Sequence, residues 1–308
     1  LIKDASSLET AHKINTIIFD KTGTITLGKP VVTDVSDAKI LPIIGALELG
    51  SEHSLGEAII SYIKSKGIKF SNAKNFKSIT GKGIVGEING KKYFFGKIDQ
   101  KGDKIKTLEE NGKTVMGLTS ENKFLGYVAV ADTLKDGVKE VIEQLNKKNI
   151  ETWMVTGDNE RTAKAIAGLA GIKNVMAEVL PDQKSGKVTE LQSDKRTVAF
   201  VGDGVNDAPA LAAADIGIAM GTGTDVAMES AGITLLNKDF NTILTAINLS
   251  RGTMSVIKQN LFWAFGYNVI LIPAAAFGLL NPMLASFAMA ASSISVVLNS
   301  LRLNKVKI

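Results

Sequence analysis

The sequence predicts an α/β fold, an open sheet interrupted by an inserted α+β domain and followed by two transmembrane helices. Three observations carry this. Apolar runs that lead to a carboxylate, at Asp20, Asp158 and Asp203, alternate with stretches of 3.6-residue periodicity. That rhythm stops between about Val35 and Gly126. From Gln259 to Leu301 the chain holds no charged residue. Asn281-Pro282 divides this stretch into two segments of about 20 residues, each long enough as a helix to cross a bilayer core roughly 30 Å thick.

Taken in order, the run Ile14 to Phe19 predicts a buried strand that leaves Asp20 at its C-terminal edge, where open α/β sheets keep their chemistry. Asp20-Lys21-Thr22-Gly23-Thr24-Ile25-Thr26 follows. Aspartate is a weak nucleophile unless a cation neutralises its target, so Lys21 and a magnesium ion point to a phosphoryl acceptor and an aspartyl phosphate. Gly23 lets the chain turn so that amides and the hydroxyls of Thr22 and Thr24 face the transferred group. In the insert, a helix is expected from Ile43 to Lys66. Alternating stretches at Gly83 to Ile88 and Lys92 to Phe95, with Gly-rich turns, predict an antiparallel sheet. The lysines at 91, 92, 97, 101, 104 and 106 read as a solvated face.

Beyond the insert, Val138, Val141, Ile142 and Leu145 mark one face of a helix entered at Asp136. The strand Thr152 to Val155 runs into Thr156-Gly157-Asp158, and Asn159 caps a helix that closes near Gly171. Leu180-Pro181-Asp182-Gln183-Lys184 puts a lysine at a helix start, where its charge can compensate that on phosphoryl oxygens. A strand from Thr197 to Val201 enters Gly202-Asp203-Gly204-Val205-Asn206-Asp207-Ala208-Pro209. Asp203 can hold magnesium opposite Asp20, since a hard cation favours carboxylate oxygen. Asn206 and Asp207 can bond the phosphate surroundings or cap the helix that Pro209 starts. Short strands are expected at Ile216 to Met220 and Ile233 to Leu236. A helix from about Phe240 then runs into the first span, where Pro273 bends it.

Composition narrows the function. Thirty-six Lys plus Arg against 31 Asp plus Glu leaves a charge of +5, too small to argue for nucleic acid, and there is no aromatic-interleaved basic stripe. The absence of cysteine excludes disulfides, a thiol nucleophile and a Cys-built zinc site within these residues. His12 and His53 are the only histidines, which excludes a His-rich metal site. Arg251 and Lys258 flank one end of the apolar pair and Arg302, Lys305 and Lys307 the other, so the positive-inside rule makes both ends cytoplasmic. With Leu1 in place of an initiator Met, the chain reads as a fragment.

Soluble phosphatases of the haloacid dehalogenase type resemble the Asp20 motif, but usually carry a second Asp two places after the nucleophile as general acid and base. Here that place holds Thr22, so an acyl phosphate is expected to live longer. Taken together, the motifs around Asp20, Thr156 and Gly202 resemble DKTGT, TGD and GDGxNDxPAL of the P-type ATPases, over the whole chain. The resemblance implies a haloacid dehalogenase-like Rossmannoid phosphorylation domain at 1–34 and 127–239 and a nucleotide-binding domain at 35–126. A membrane hairpin follows at 240–308, with spans about 260–280 and 283–301. It also implies that ATP phosphorylates Asp20, and that Asp20, Asp203 and the Thr22 carbonyl bind Mg2+. Lys21, Thr24, Thr156, Gly157, Asp158, Lys184, Asn206 and Asp207 are then expected to support the transfer.

Glu48, with Ser51-Glu52-His53 before Leu55, is similar to the Glu and SEHPL elements of the heavy-metal (type IB) branch, where the histidine orients the nucleotide. A neutral imidazole can stack on adenine or bond to it, and Glu48 can accept from its amino group. Ser54 stands in place of the family's proline. Gly81-Lys82-Gly83 resembles the branch's GxG element, and Gly96-Lys97 falls where Gly-Asn is usual, so Gly81, Gly83 and Gly96 join the nucleotide set and Lys97 does not.

Tyr267 and Asn268 in the first span, and Met289 and Ser293 in the second, are similar to residues of the copper(I)-exporting group. Polar groups in lipid usually face an interior path, and a thioether favours a soft monovalent ion, copper(I) or silver(I). The resemblance places a Cys-Pro-Cys helix and an actuator domain with a TGE loop upstream in the same polypeptide. The expectation is thus the ATP-binding, phosphorylating and last-two-span part of an ATP-driven copper(I) transporter. Its two soluble domains are cytoplasmic on this reading, and the fragment does not transport by itself. The alternatives are a membrane-anchored phosphatase of the haloacid dehalogenase type and a non-catalytic nucleotide-sensing membrane subunit.

Overall fold

The computed structural model describes residues 1–51, 53–98, 102–121, 123–203, 207–221, 225–237, 239–279 and 281–305. Its strands are β1 (Thr16–Asp20), β2 (Val31–Val35), β3 (Lys74–Ile79), β4 (Gly83–Ile88), β5 (Lys91–Gly96), β6 (Thr114–Ser120), β7 (Lys123–Ala131), β8 (Glu151–Val155), β9 (Asn174–Met176), β10 (Val198–Gly202), β11 (Ile216–Met220) and β12 (Ile233–Leu235).

One sheet is parallel throughout, in the order β12-β11-β10-β1-β8-β9. Every residue of β1, β10 and β11 is buried, which explains their unbroken apolar runs: helices cover both faces. On one face Phe19 packs 5.4 Å from Phe240, centroid to centroid, with Val138, Val141, Ile142, Ile166 and Ile243 around it. On the other, Ile18 and Phe200 meet Val188, Leu191 and Leu211. The chain steps from β1 to β8 and β9 on one side, then returns to place β10 on the other. Asp20 therefore lies at the switch point where the connections diverge, with Asp20 in register with Val155 and Phe19 with Val201.

The second sheet is antiparallel, in the order β2-β7-β6-β5-β4-β3. Ile44, Leu47, Ile59 and Ile63 cover one face and Ile105 and Leu108 the other. The single helix expected from Ile43 to Lys66 is two, Leu41–Glu48 and Ser54–Ser65. The break is chemical: Gly50 and Ser51 favour a turn, and the His53 ring caps the second helix by accepting from Leu55 N at 3.2 Å. A further helix, Ala5–Lys13, precedes β1, started by Asp4 accepting from Ser7 N at 2.7 Å. Its Leu8 carbonyl accepts from the buried Ser250 hydroxyl.

Helix Asn241–Ala276 follows Phe240 without a break and, at 36 residues, is about 54 Å long. Ile243, Leu244, Ala246 and Ile247 bury its first turns on the parallel sheet. Helix Pro282–Leu301 returns beside it, with Asn281 capping it by accepting from Met283 N at 2.9 Å. These helices occupy the places of the expected spans. Among the described residues, however, no helix is long and apolar enough to cross a membrane. Asn260, Tyr267 and Asn268 lie among the exposed Phe262, Phe265, Val269 and Ile270.

Candidate active site

Asp20 ends β1 and is 6 % exposed. The chain then coils tightly through Lys21 to Ile25, with Gly23 at φ +74°. A Cβ on Gly23 would collide with the Asp203 carboxylate, so this position needs glycine for both its conformation and its neighbour. Lys135, buried and unremarked in the sequence, donates to the Gly23 carbonyl. Its only signal was a charge at the entry to a predicted helix. The Thr24 hydroxyl is fully buried and has no hydrogen-bond partner among the described residues.

Two ion pairs fix the edge. Lys184, first residue of the helix Lys184–Gln192, donates to Asp20 Oδ1 and to Asp207 Oδ1, each at 2.6 Å. Burial opposes the Lys184 charge, but the two carboxylates outweigh it and raise its pKa. Burial, followed by the Asp207 charge, pushes Asp20 up to about 7 against the pull of Lys184, and Asp203 adds to the rise. Lys21 in turn pairs with Asp158 Oδ2 at 2.7 Å. Asp158 also accepts from the Thr114 hydroxyl at 3.1 Å, while its N–H donates to Thr156 Oγ1 at 3.1 Å. Burial alone would raise the Asp158 pKa, but the Lys21 charge and these hydrogen bonds hold it below the usual range.

Among the described residues no group of three or more His, Cys, Asp and Glu side chains is set to hold a metal. Asp20 and Asp203 beside the Thr22 backbone nevertheless suit a hard divalent cation. Their donors are all oxygen, and burial, with the Asp207 and Asp203 charges adding to it, disfavours the charged Asp20 carboxylate, a cost that such an ion would relieve. Asn206 and Glu52 lie outside the described residues.

In the insert, Glu48 is buried and its Oε2 has no hydrogen-bond partner among the described residues. Burial raises its pKa to about 6 against a bond from Ser51. His53 is more than a third exposed, yet the protein around its ring, then the Lys21 ammonium, lower its pKa. Because Nδ1 accepts from Leu55, Nε2 carries the proton of the neutral ring. Gly83 and Gly96 pair across β4 and β5, where a Cβ on either would strike the opposite backbone. Gly81, at φ +71°, lies against the Leu180 side chain, and Lys97 Nζ donates to the Gly157 carbonyl at 2.8 Å. The Gly-rich turn thus rests on the loops around Gly157 and Leu180, and Lys97, left out by the sequence reading, makes one of the contacts.

The helix pair is arranged differently. Half-buried Tyr267 lies 6.2 Å from the Trp263 ring, and Asn268 donates to Ala264 O at 2.9 Å. Ser293 donates to Met289 O at 3.1 Å, and the Met289 side chain is exposed. Both polar bonds run within one helix. The helices are instead joined by Asn299 donating to Asn260 Oδ1 and Asn260 donating to Ser300 Oγ, each at 2.9 Å, which the sequence did not suggest.

A haloacid dehalogenase-like hydrolase model matches residues 14–215, and a second of the same description matches 186–247. The chain is 48 % identical over 319 residues to a copper-exporting P-type ATPase of Staphylococcus saprophyticus, covering 100 % of this chain and 40 % of that protein. It is 51 % identical over 318 residues to a probable copper-importing P-type ATPase A of Enterococcus hirae, covering 99 % and 44 %. The crystal structure of a zinc-transporting PIB-type ATPase in an E2.Pi state is similar at TM-score 0.71 and 35 % identity, over 98 % of this chain and 52 % of the other. The chain thus spans about two fifths of the length of the curated relatives it matches. A buried carboxylate and lysine at the switch point of a parallel sheet and these likenesses along the whole chain agree: it belongs to the haloacid dehalogenase-like hydrolases, in their P-type ATPase branch.

Proposed function

We propose that this chain is the ATP-binding, phosphorylating and last-two-span part of a pump that moves copper(I) across a membrane through an aspartyl phosphate at Asp20. The observation that carries the reading is the Lys184 ammonium bridging Asp20 and Asp207 at the sheet's switch point. A carboxylate oxygen of Asp20 attacks the γ-phosphorus of ATP in line; the new P–O bond forms as the bond to the bridging oxygen breaks, and ADP leaves. Lys184, the Thr24 hydroxyl and the amides of the Gly23 turn receive the charge that spreads over the equatorial oxygens. Asp20, Asp203 and the Thr22 carbonyl would hold magnesium, which would supply charge neutralisation. Thr22 offers no carboxylate to activate water, which favours a persistent acyl phosphate.

Residues 35–126 form the nucleotide-binding domain on this reading, and 1–34 with 127–239 the phosphorylation domain. The unpaired Glu48 oxygen accepts from the adenine amino group, His53 meets the base, and Gly81, Gly83 and Gly96 admit backbone close to the nucleotide. Exposed Phe262, Phe265, Ile270 and Phe287 support a bilayer around the helix pair. Tyr267, Asn268, Met289 and Ser293 would line the copper path, together with donors from upstream spans. The relatives' names, exporting and importing, support copper but give no direction.

Incubation with γ-32P-ATP should give a hydroxylamine-sensitive label that Asp20→Asn lowers by at least about a thousandfold. A wild-type chain that hydrolyses small phosphoesters quickly without holding the label would favour the phosphatase instead.

A further inference from the structure

The inserted sheet does more than carry a nucleotide site, because one of its side chains enters the acceptor edge. Thr114 is the first residue of β6, and its hydroxyl donates to Asp158 Oδ1 at 3.1 Å. The other oxygen of Asp158 holds Lys21, and its backbone N–H is tied to Thr156. Thr114 therefore adds a third restraint, from the inserted sheet, to those that Lys21 and Thr156 place on the Asp158 carboxylate. Its place is set by a set of contacts between the segment before it and the helix Glu160–Ala170. Glu109, 6 % exposed, accepts from Asn159 Nδ2 at 2.8 Å and from Arg161 Nε at 2.6 Å. The Lys113 carbonyl accepts from Thr162 Oγ1 at 2.9 Å, while its ammonium reaches back to Asp34 at 2.7 Å. A buried carboxylate that draws two donors from the other unit is a costly arrangement unless both units are in contact. Its geometry is thus a record of the docked state.

We infer that Thr114 is a positioning residue for phosphoryl transfer: it holds Asp158 against Lys21 only when the inserted sheet is docked on the parallel one, so that docking sets the lysine beside the acceptor. This rests on the reading of Asp20 as acceptor. Valine has nearly the volume of threonine without the hydroxyl, and serine keeps the hydroxyl, so the pair separates hydrogen bonding from packing.

With γ-32P-ATP, Thr114→Val should lower the maximal labelling rate about tenfold while the nucleotide concentration at half-maximal labelling stays within about twofold, and Thr114→Ser should restore most of the rate. A second measurement needs no nucleotide: acylation of Lys21 by acetic anhydride, followed by peptide mass mapping, should speed up in Thr114→Val and stay slow in Thr114→Ser. Thr114→Val labelling at the wild-type rate, losing rate and nucleotide affinity together, or keeping Lys21 protected would overturn the role of Thr114 and leave the acceptor reading standing. An unlabelled wild-type chain whose Lys21 protection still depends on the Thr114 hydroxyl would sink the acceptor reading while keeping the Thr114–Asp158–Lys21 linkage.

Discussion

The edge of the parallel sheet and the long helix pair both carry polar side chains that the sequence marks for function, and they hold them in opposite ways. At the edge, Lys21 meets Asp158 and Lys184 meets Asp20, partners 137 and 164 residues apart in the chain. In the helix pair, Asn268 and Ser293 bond to carbonyls four residues back on their own helices. A side chain held by a distant charged partner keeps its place only while the whole fold does. One parked on its own helix can turn to a new partner at a cost of about 1 kcal/mol. On the proposed function, the difference separates an edge whose geometry the whole fold fixes from a helix pair whose polar groups are free to exchange partners.

Lys184→Met tests the fixed side most severely. It leaves Asp20 and Asp207 buried without the ammonium between them, and removal of one partner from a buried pair costs about 3 kcal/mol. Labelling of Asp20 should fall about a hundredfold, and the urea midpoint should drop. Wild-type labelling by a stably folded Lys184→Met chain would mean that the edge is not organised by this contact.

The edge was legible because its signals are local. A β strand ending in Asp20, a turn at Gly23 and an Asn159 cap can each be read within ten residues, and the observed β1, β8, β10, β11 and β12 fall where apolar runs stood. What stayed hidden is long-range. Nothing in the run around Lys135 says that it reaches Gly23, and Thr114 gains its meaning only from Asp158, 44 residues on. The Ile43 to Lys66 stretch keeps a helical period across the break, so periodicity could not show that His53 starts a new helix. Polar groups in apolar segments, a soft thioether and a likeness to the copper(I)-exporting group suggested a metal path, but none of these tells whether Ser293 faces a partner helix or its own backbone.

Glu48 lies between the two cases, buried like the edge but with one oxygen that has no hydrogen-bond partner among the described residues. Its folded pKa of about 6, against 4.5 in an open chain, means that the folded form keeps a proton the unfolded form has lost. Stability from this group is therefore highest below pH 4.5 and declines as pH rises through 6, by about 2 kcal/mol in total. Glu48→Gln lacks this titration, so the difference in unfolding free energy between wild type and variant should shift by that amount from pH 4 to pH 7. ATP should shrink the shift by giving Oε2 a donor. A pH-independent difference would remove Glu48 from the unpaired class.

The smallest effect is expected from Asn299→Ala, at a place where the helix pair uses a contact between segments distant in the chain, as the edge does. Asn299, 8 % exposed, donates to Asn260 Oδ1 and accepts from Arg302 at 3.2 Å. Its loss should cost about 1 kcal/mol, because the Asn260 amide keeps its bond to Ser300 and interhelical polar pairs in apolar surroundings are individually weak. Thermal unfolding should report that loss while Asp20 labelling stays unchanged. A labelling rate that falls along with it would point to the helix Asn241–Ala276 as a rigid rod: its first turn follows Phe240, whose ring packs on Phe19, the residue before Asp20. Loosening one end of such a rod would move Asp20 at the other, and the division between fixed edge and exchangeable helix pair would give way to a single coupled unit.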